Sequence, residues 1–296
     1  MRGEGFLSPV LTKELKERFR TFRGPLVVFL YVGAVVAITL GFIYLTTRYN
    51  YSTFQPERSR EIFIMLSLLQ LALIAFVTPG LSAGVISSER ERQTLNILLT
   101  TRLSPASIIL SKLMSSLAFT ILLVIATLPV FAMVTLYGGI APNQLAGVFG
   151  LYILNMVFFG SVGVFFSTWV RKTGISTVIS YGVIFAITVF TLLGAELLDQ
   201  YFRAQAMLVN DSVVPGSYDT AIYQTPNIVW ILRALNPVLV MVGIFEDMGW
   251  RTTLIDPWKI YTISYSVLSF ILILISIYLL PPVRRTFFKR KLSKES

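Results

Sequence analysis

The chain has 296 residues, of which 55% are hydrophobic and only 14% charged, with a formal net charge of +10. Soluble domains are usually about a quarter charged, so this composition belongs to a protein whose solvent is largely the lipid bilayer. Neither cysteine nor histidine occurs, which excludes disulfides, thiolate nucleophiles, Cys/His metal sites, Ser-His hydrolysis and zinc proteolysis of the HExxH kind.

In chain order, residues 1–24 read as a cytoplasmic amphipathic helix. The stretch "LTKELKERFRTFRG" puts Leu11, Leu15, Phe19 and Phe22 on one helical face among lysines and arginines. That is the pattern of a helix lying along a membrane surface. A membrane-crossing helix needs about 20 apolar residues. Six stretches of the region 25–280 qualify, at about 25–46, 62–86, 107–137, 145–169, 174–198 and 259–280. The first is too long, and follows too polar a segment, to be a cleaved signal peptide, so it is expected to act as an anchor. Pro79 and Pro129 fall inside the second and third spans, where membrane helices tolerate kinks. Gly80 and Gly84 form a GxxxG spacing, which permits close helix packing.

Residues 85–113 form a polar interruption between the second and third spans. Ser88 and Glu91 stand in the S-x-x-E spacing of a capping box, so a helix is expected to start there. Leu95, Leu98, Leu99 and Leu103 then fall at helical spacing, with Arg92, Gln93, Asn96 and Thr100 on the other side. Ser104 and Pro105 are an N-cap and first-turn pair that restarts a helix into the third span. So short a helix is marginal alone in water. It needs the membrane surface or a protein groove against its leucines.

Beyond the fifth span, residues 199–258 are expected to form an outer loop. Within it, "NIVWILRALNPVLVMVGIF" is apolar but carries Arg233 and is broken by Asn236-Pro237. It reads as two short helices on, or dipping into, the outer face. Non-helical backbone at that depth needs shelter from lipid. Residues 281–296 are a basic tail. The segments 1–24, 87–112, 171–172 and 281–296 carry 18 of the 25 Lys and Arg residues. By the positive-inside rule both termini are therefore cytoplasmic. The fold class expected is all-α and polytopic, with six spans. The basic excess reflects topology and contact with membrane lipid, and no nucleic-acid partner is expected.

The spans are nearly free of ionisable groups. Lys112 and Glu196 lie near span ends, and Gln70 and Asn155 are the clearest polar groups at depth. Glu196 and Asp199 are expected as interfacial charges, and Gln70 and Asn155 as bonds between helices. An ion-coupled secondary transporter, which usually needs buried carboxylates, and a membrane anchor or sensor without a pathway are the alternatives. No catalytic, cofactor or metal residue is expected.

"SSERERQTLNILLTTRLSPASIILSKL" resembles the cytoplasmic signature of type-2 ABC exporter permeases, with Glu89, Glu91, Thr94, Leu95, Leu98, Leu99, Leu103 and Lys112 in matching places. "SPVLTKELKERFR" looks like that family's connecting helix before the first span, and the broken outer segment like its re-entrant helices. Two positions depart from the pattern. Gln93 stands where Gly is frequent, and Arg102 where Pro is frequent. The resemblance implies a permease subunit in the plasma membrane of a prokaryote, without an ATPase domain, and export of a hydrophobic or amphipathic substrate. It implies two separate ATP-binding subunits, which would use ATP and Mg, and a second permease copy or a paralogue. Spans two and five would line the path between the halves. Glu89, Glu91, Arg92, Thr94, Leu95, Leu98, Leu99 and Leu103 would form the coupling helix that meets the ATPase.

Overall fold

A computed structural model describes residues 23–49, 56–95, 104–136, 140–213, 226–245 and 256–280. Among them the regular structure is entirely helical: α1 (Arg23–Tyr49), α2 (Pro56–Ser82), α3 (Ser87–Glu91), α4 (Pro105–Leu136), α5 (Pro142–Trp169), α6 (Thr173–Val213), α7 (Asn227–Ala234), α8 (Pro237–Gly243) and α9 (Pro257–Leu279). Six of these, α1, α2, α4, α5, α6 and α9, are long and apolar enough to cross a membrane. The proposed connecting-helix residues Leu11, Leu15, Phe19 and Phe22, the coupling leucines Leu98, Leu99 and Leu103, and the basic tail lie outside the described residues.

Proline starts five of the helices, α2, α4, α5, α8 and α9. Its fixed φ suits the first turn, and its missing N–H falls where no intrahelical partner exists. At α4 the Ser104 hydroxyl adds the expected cap, accepting from the Ser107 N–H at 3.2 Å.

The bundle is organised around α5, which packs against α2, α4, α6 and α9. Small residues allow the approach. A Cβ on Gly160 would come within 2.9 Å of Leu113 Cδ1, and one on Gly163 would collide with the Ser82 side chain. On α2, the Gly80 and Gly84 spacing turns to α6. A Cβ on Gly80 would meet the Tyr181 hydroxyl at 2.6 Å and one on Gly84 the Thr173 methyl at 3.2 Å. The Tyr181 hydroxyl uses this gap to donate to the Phe76 carbonyl at 2.7 Å. Large apolar side chains such as Phe29, Leu30, Phe190 and Phe270 stay exposed on the spans, as lipid contact requires.

Some of the polar groups at depth bond between helices, Asn155 among them. Tyr261 donates to Asn155 Oδ1 at 2.7 Å and joins α9 to α5. Tyr152 donates to the Ser67 carbonyl at 3.0 Å and joins α5 to α2. Gln70 is fully buried, but neither polar atom of its amide has a hydrogen-bond partner among the described residues, so the interhelical bond expected there is not seen.

The broken segment follows the expected pattern, and the structure supplies its shelter. α7 and α8 are separated at Asn236, whose Oδ1 accepts from the Val238 and Leu239 N–H groups at 2.9 and 3.0 Å. Its amide donates to the Thr188 carbonyl and the Thr191 hydroxyl of α6, both at 2.8 Å. A carbonyl at the break and one at the far end of α8 are covered too. Tyr265 donates to Leu235 O at 2.9 Å, and Gln144 to Ile244 O at 3.3 Å. No lipid has to solvate them.

One element is longer than the sequence reading. α6 has 41 residues, about 60 Å at 1.5 Å per residue, roughly twice the hydrocarbon thickness. The outer segment expected to begin as a loop at residue 199 therefore opens as continued helix. Residues 199–207 contain neither Gly nor Pro, and they carry helix-spaced pairs. Arg203 donates to Asp199 at 2.8 Å, and Gln205 to Tyr201 at 2.8 Å. Asp199 is not a loosely interfacial charge. Its side chain is 4% exposed and also accepts from Arg233 at 3.1 Å, which ties α7 to α6.

Candidate functional site

Residues 83–95, between α2 and α4, form the polar junction where the sequence concentrates its chemistry. After α2 ends at Ser82, the chain keeps a helix-like path. Ser88 N–H reaches Gly84 O and Arg90 N–H reaches Ile86 O, both at 3.0 Å. Helix α3 consequently starts one residue before the expected N-cap, and Ser88 lies inside it. The capping box does not form. The first free N–H groups, those of Ile86 and Ser87, are instead capped from α5: Ser167 Oγ accepts both, at 2.8 and 3.0 Å, in a fully buried site.

The helix stops just as specifically. Gln93 has φ of +60°, the left-handed conformation. The Gln93 N–H bonds Arg90 O at 3.1 Å and the Thr94 N–H bonds Glu89 O at 2.9 Å. This pair of bonds is a Schellman stop. It gives a physical reason why glycine suits this position, and it corrects the expectation of one amphipathic helix running from Ser88 past Leu95. The chain is reset at 93–94, and Leu95 then turns into the apolar core.

Both acidic side chains have partners within the chain. Lys112, in the first turns of α4, donates to Glu89 Oε1 at 3.0 Å, and the Thr94 hydroxyl donates to the other carboxylate oxygen. Glu91 reaches across to the start of α6, accepting from both the Thr173 N–H and its hydroxyl at 2.9 Å. There it caps α6 and matches the positive end of its dipole. Arg90 donates to Thr168 O at the end of α5, at 3.1 Å, and Ser176 of α6 donates to Ala83 O at 2.8 Å. Arg92 and Gln93 are exposed.

These groups lie past the membrane-crossing part of α2, and their electrostatics follow the geometry. Partial burial pushes the Glu89 carboxyl up. Hydrogen bonds from Thr94 and Lys112, with the charges of Lys112 and Arg92, outweigh it and hold the group below the ordinary carboxylate range. Glu91 is held low chiefly by the Thr173 N–H, then by the Thr173 hydroxyl, with help from the Lys172 charge. Arg90 is lowered by partial burial and by Arg171 beside it.

The structure thus joins Glu89, Glu91, Thr94 and Leu95 to the bundle and leaves Arg92 outside. The sequence reading did not single out Ser167, Thr173 and Thr168, which complete the junction. Their partners lie about 80 residues away, and no local pattern marks them. No cluster of three or more His, Cys, Asp or Glu side chains able to hold a metal occurs among the described residues.

A second feature is an open apolar groove of about 680 Å³ on the flank of the bundle. Leu71 and Phe76 of α2, Phe159 of α5, Ile184 and Phe185 of α6 and Val238 of α8 line it. Phe76 and Tyr181 stack across its edge at 5.4 Å.

No curated protein matches this chain. A family model described as "ABC-2 family transporter protein" matches residues 9–292, nearly the full length and all six apolar helices. The chain therefore belongs to the ABC-2 transporter permease family, whose members are multi-pass membrane subunits of ABC transporters.

Proposed function

We propose that this chain is the permease subunit of an ABC exporter in the plasma membrane, driven by two separate ATP-binding subunits. The 83–95 junction faces the cytoplasm, and the ATPases dock against Arg92, Gln93 and the leucine-rich stretch that follows. ATP and Mg act in those partners. Two copies of the chain, or one copy and a paralogue, enclose the pathway between their second and fifth spans, α2 and α6. The apolar groove between these helices supports a hydrophobic or amphipathic substrate, since its volume lies in the range of small-ligand sites, roughly 300–1,000 Å³.

The observation that carries this reading is the triple attachment of the junction. Displacing residues 87–95 pulls on α4 through Glu89–Lys112, on α6 through Glu91–Thr173 and on α5 through Ser167. A partner that moves the junction therefore moves the ends of three spans at once. Glu89 and Glu91 work as internal tethers, and the exposed groups beyond them supply the docking contact.

The test is reconstitution with the co-expressed ATP-binding subunit in proteoliposomes. ATP-dependent movement of a hydrophobic fluorescent dye is followed. Wild type should transport only with ATP. Glu91→Ala should still copurify with the ATPase and hydrolyse ATP, while transport per ATP falls several-fold. Dye movement independent of ATP, or failure of any ATP-binding subunit to copurify, rejects the reading.

A further inference from the structure

The junction borders a second cavity, of about 730 Å³, with a different character. Arg90 and Gln93 come from the junction, Thr168 and Trp169 from the end of α5, Arg171 from the turn before α6, and Leu279 from the end of α9. We propose that this cavity binds an anionic phospholipid, with Arg90 and Arg171 on the phosphate and Trp169 and Leu279 along the upper acyl chains.

Charge is the first argument. Among the described residues, two guanidinium groups line the cavity and no carboxylate does. The acids flanking Arg90 in sequence, Glu89 and Glu91, are engaged by Lys112 and Thr173. Arg90 is oriented by its bond to Thr168 O, which uses one nitrogen and leaves other N–H donors for an oxyanion. Arg171 is exposed and makes no hydrogen bond or ion pair with the described residues. The two like charges disfavour each other, which adds to the partial burial that lowers Arg90. An anion held between them turns that repulsion into two charge-assisted contacts.

Shape and position select a lipid over a free anion. The cavity is many times larger than one phosphate, and part of its wall is apolar. Trp169 is 61% exposed and lies at the very end of α5, and Leu279 is 38% exposed at the end of α9. An exposed tryptophan at a span terminus belongs at headgroup level, and basic pockets between spans bind anionic headgroups. The inference needs only that this end of the bundle lies at a membrane interface, so it stands apart from the transport reading.

Native mass spectrometry of the purified full chain tests it, with phosphatidylglycerol, phosphatidylcholine or inorganic phosphate added. Wild type should retain one phosphatidylglycerol at about tenfold lower concentration than phosphatidylcholine, and inorganic phosphate should not displace it. Arg171→Gln should remove most of that preference, about tenfold for one lost charge-assisted contact, with phosphatidylcholine retention unchanged. Arg171 carries no internal bond among the described residues, so this variant keeps its fold even if Arg90→Gln does not. Equal retention of the two lipids in wild type, or an intact preference in Arg171→Gln, overturns the proposal. So does displacement of phosphatidylglycerol by inorganic phosphate, which would assign the site to a soluble anion. Loss of ATPase copurification in Arg171→Gln with lipid retention unaltered would assign the arginines to a protein contact and overturn it equally.

Discussion

Ser167→Ala isolates the cap that α5 lends to α3. The variant removes one oxygen that accepts two N–H groups, from Ile86 and Ser87, at 2.8 and 3.0 Å. Both residues are 0% exposed. Each buried donor left unpaired costs about 1–3 kcal/mol, and the space of one deleted hydroxyl oxygen is too small to admit a water. Alanine is a slightly better helix former than serine, which returns about 0.5 kcal/mol to α5. The expected net loss is about 1.5–5.5 kcal/mol, roughly 4–15 °C in melting temperature for a chain of this size. Ser161→Ala is the control. That hydroxyl is equally buried in α5 but bonds only the Val157 carbonyl of its own helix, so its removal leaves no donor stranded. Both variants are purified in the same detergent and melted by intrinsic fluorescence. Leu95→Cys, buried in the otherwise cysteine-free chain, reports opening of the junction through its thiol-labelling rate. Faster labelling should accompany Ser167→Ala alone. If the two alanine variants melt together and label alike, the cross-helix cap does not hold the junction, and the transmission argument through α5 fails with it.

Three further outcomes follow from the same geometry. Gln93→Gly should stabilise the purified protein by up to about 1 kcal/mol, because glycine takes φ of +60° without a Cβ clash, while Gln93→Val should lower the melting temperature. Asn236→Asp keeps the acceptor for Val238 and Leu239 but loses the donors to Thr188 and Thr191 and sets a carboxylate against a carbonyl oxygen. It should cost about 2–4 kcal/mol, read as folded yield and melting temperature, whereas a simple cap exchange would be nearly neutral. Glu89 is held below its ordinary value in the folded chain, so its contribution is complete above the unfolded carboxylate pKa of about 4.3. It is lost as pH falls through the lower folded value, so a melting series from neutral pH downward should drop more steeply below that pKa in wild type than in Glu89→Gln.

What the sequence displayed openly was whatever is local or compositional. The six spans are apolar runs. Ser104-Pro105 and Asn236-Pro237 each carry both halves of a helix start within two residues, and both formed. The S-x-x-E at Ser88 failed because a capping box presumes that the chain arrives non-helical, whereas residues 83–86 arrive already turned and take their cap from Ser167. α6 ran past the hydrophobic boundary because bilayer thickness limits a span, not a helix, and the Asp199–Arg203 and Asp199–Arg233 pairs support the continuation. The Gln93 stop was present in the sequence only as an oddity, a large polar residue at a position where glycine is common. Its meaning appears once φ is known. The same reasoning shifts the candidate docking surface. A carboxylate that already accepts from Lys112 or from Thr173 would have to give up those bonds to meet a partner, at the cost of the junction that carries the motion. A surface used for docking should be one whose polar groups are still unspent. Within the described part of the 83–95 junction those are Arg92 and the Gln93 side chain, so charge reversal at Arg92 should weaken ATPase binding with the fold intact, and reversal at Glu89 should loosen the fold first.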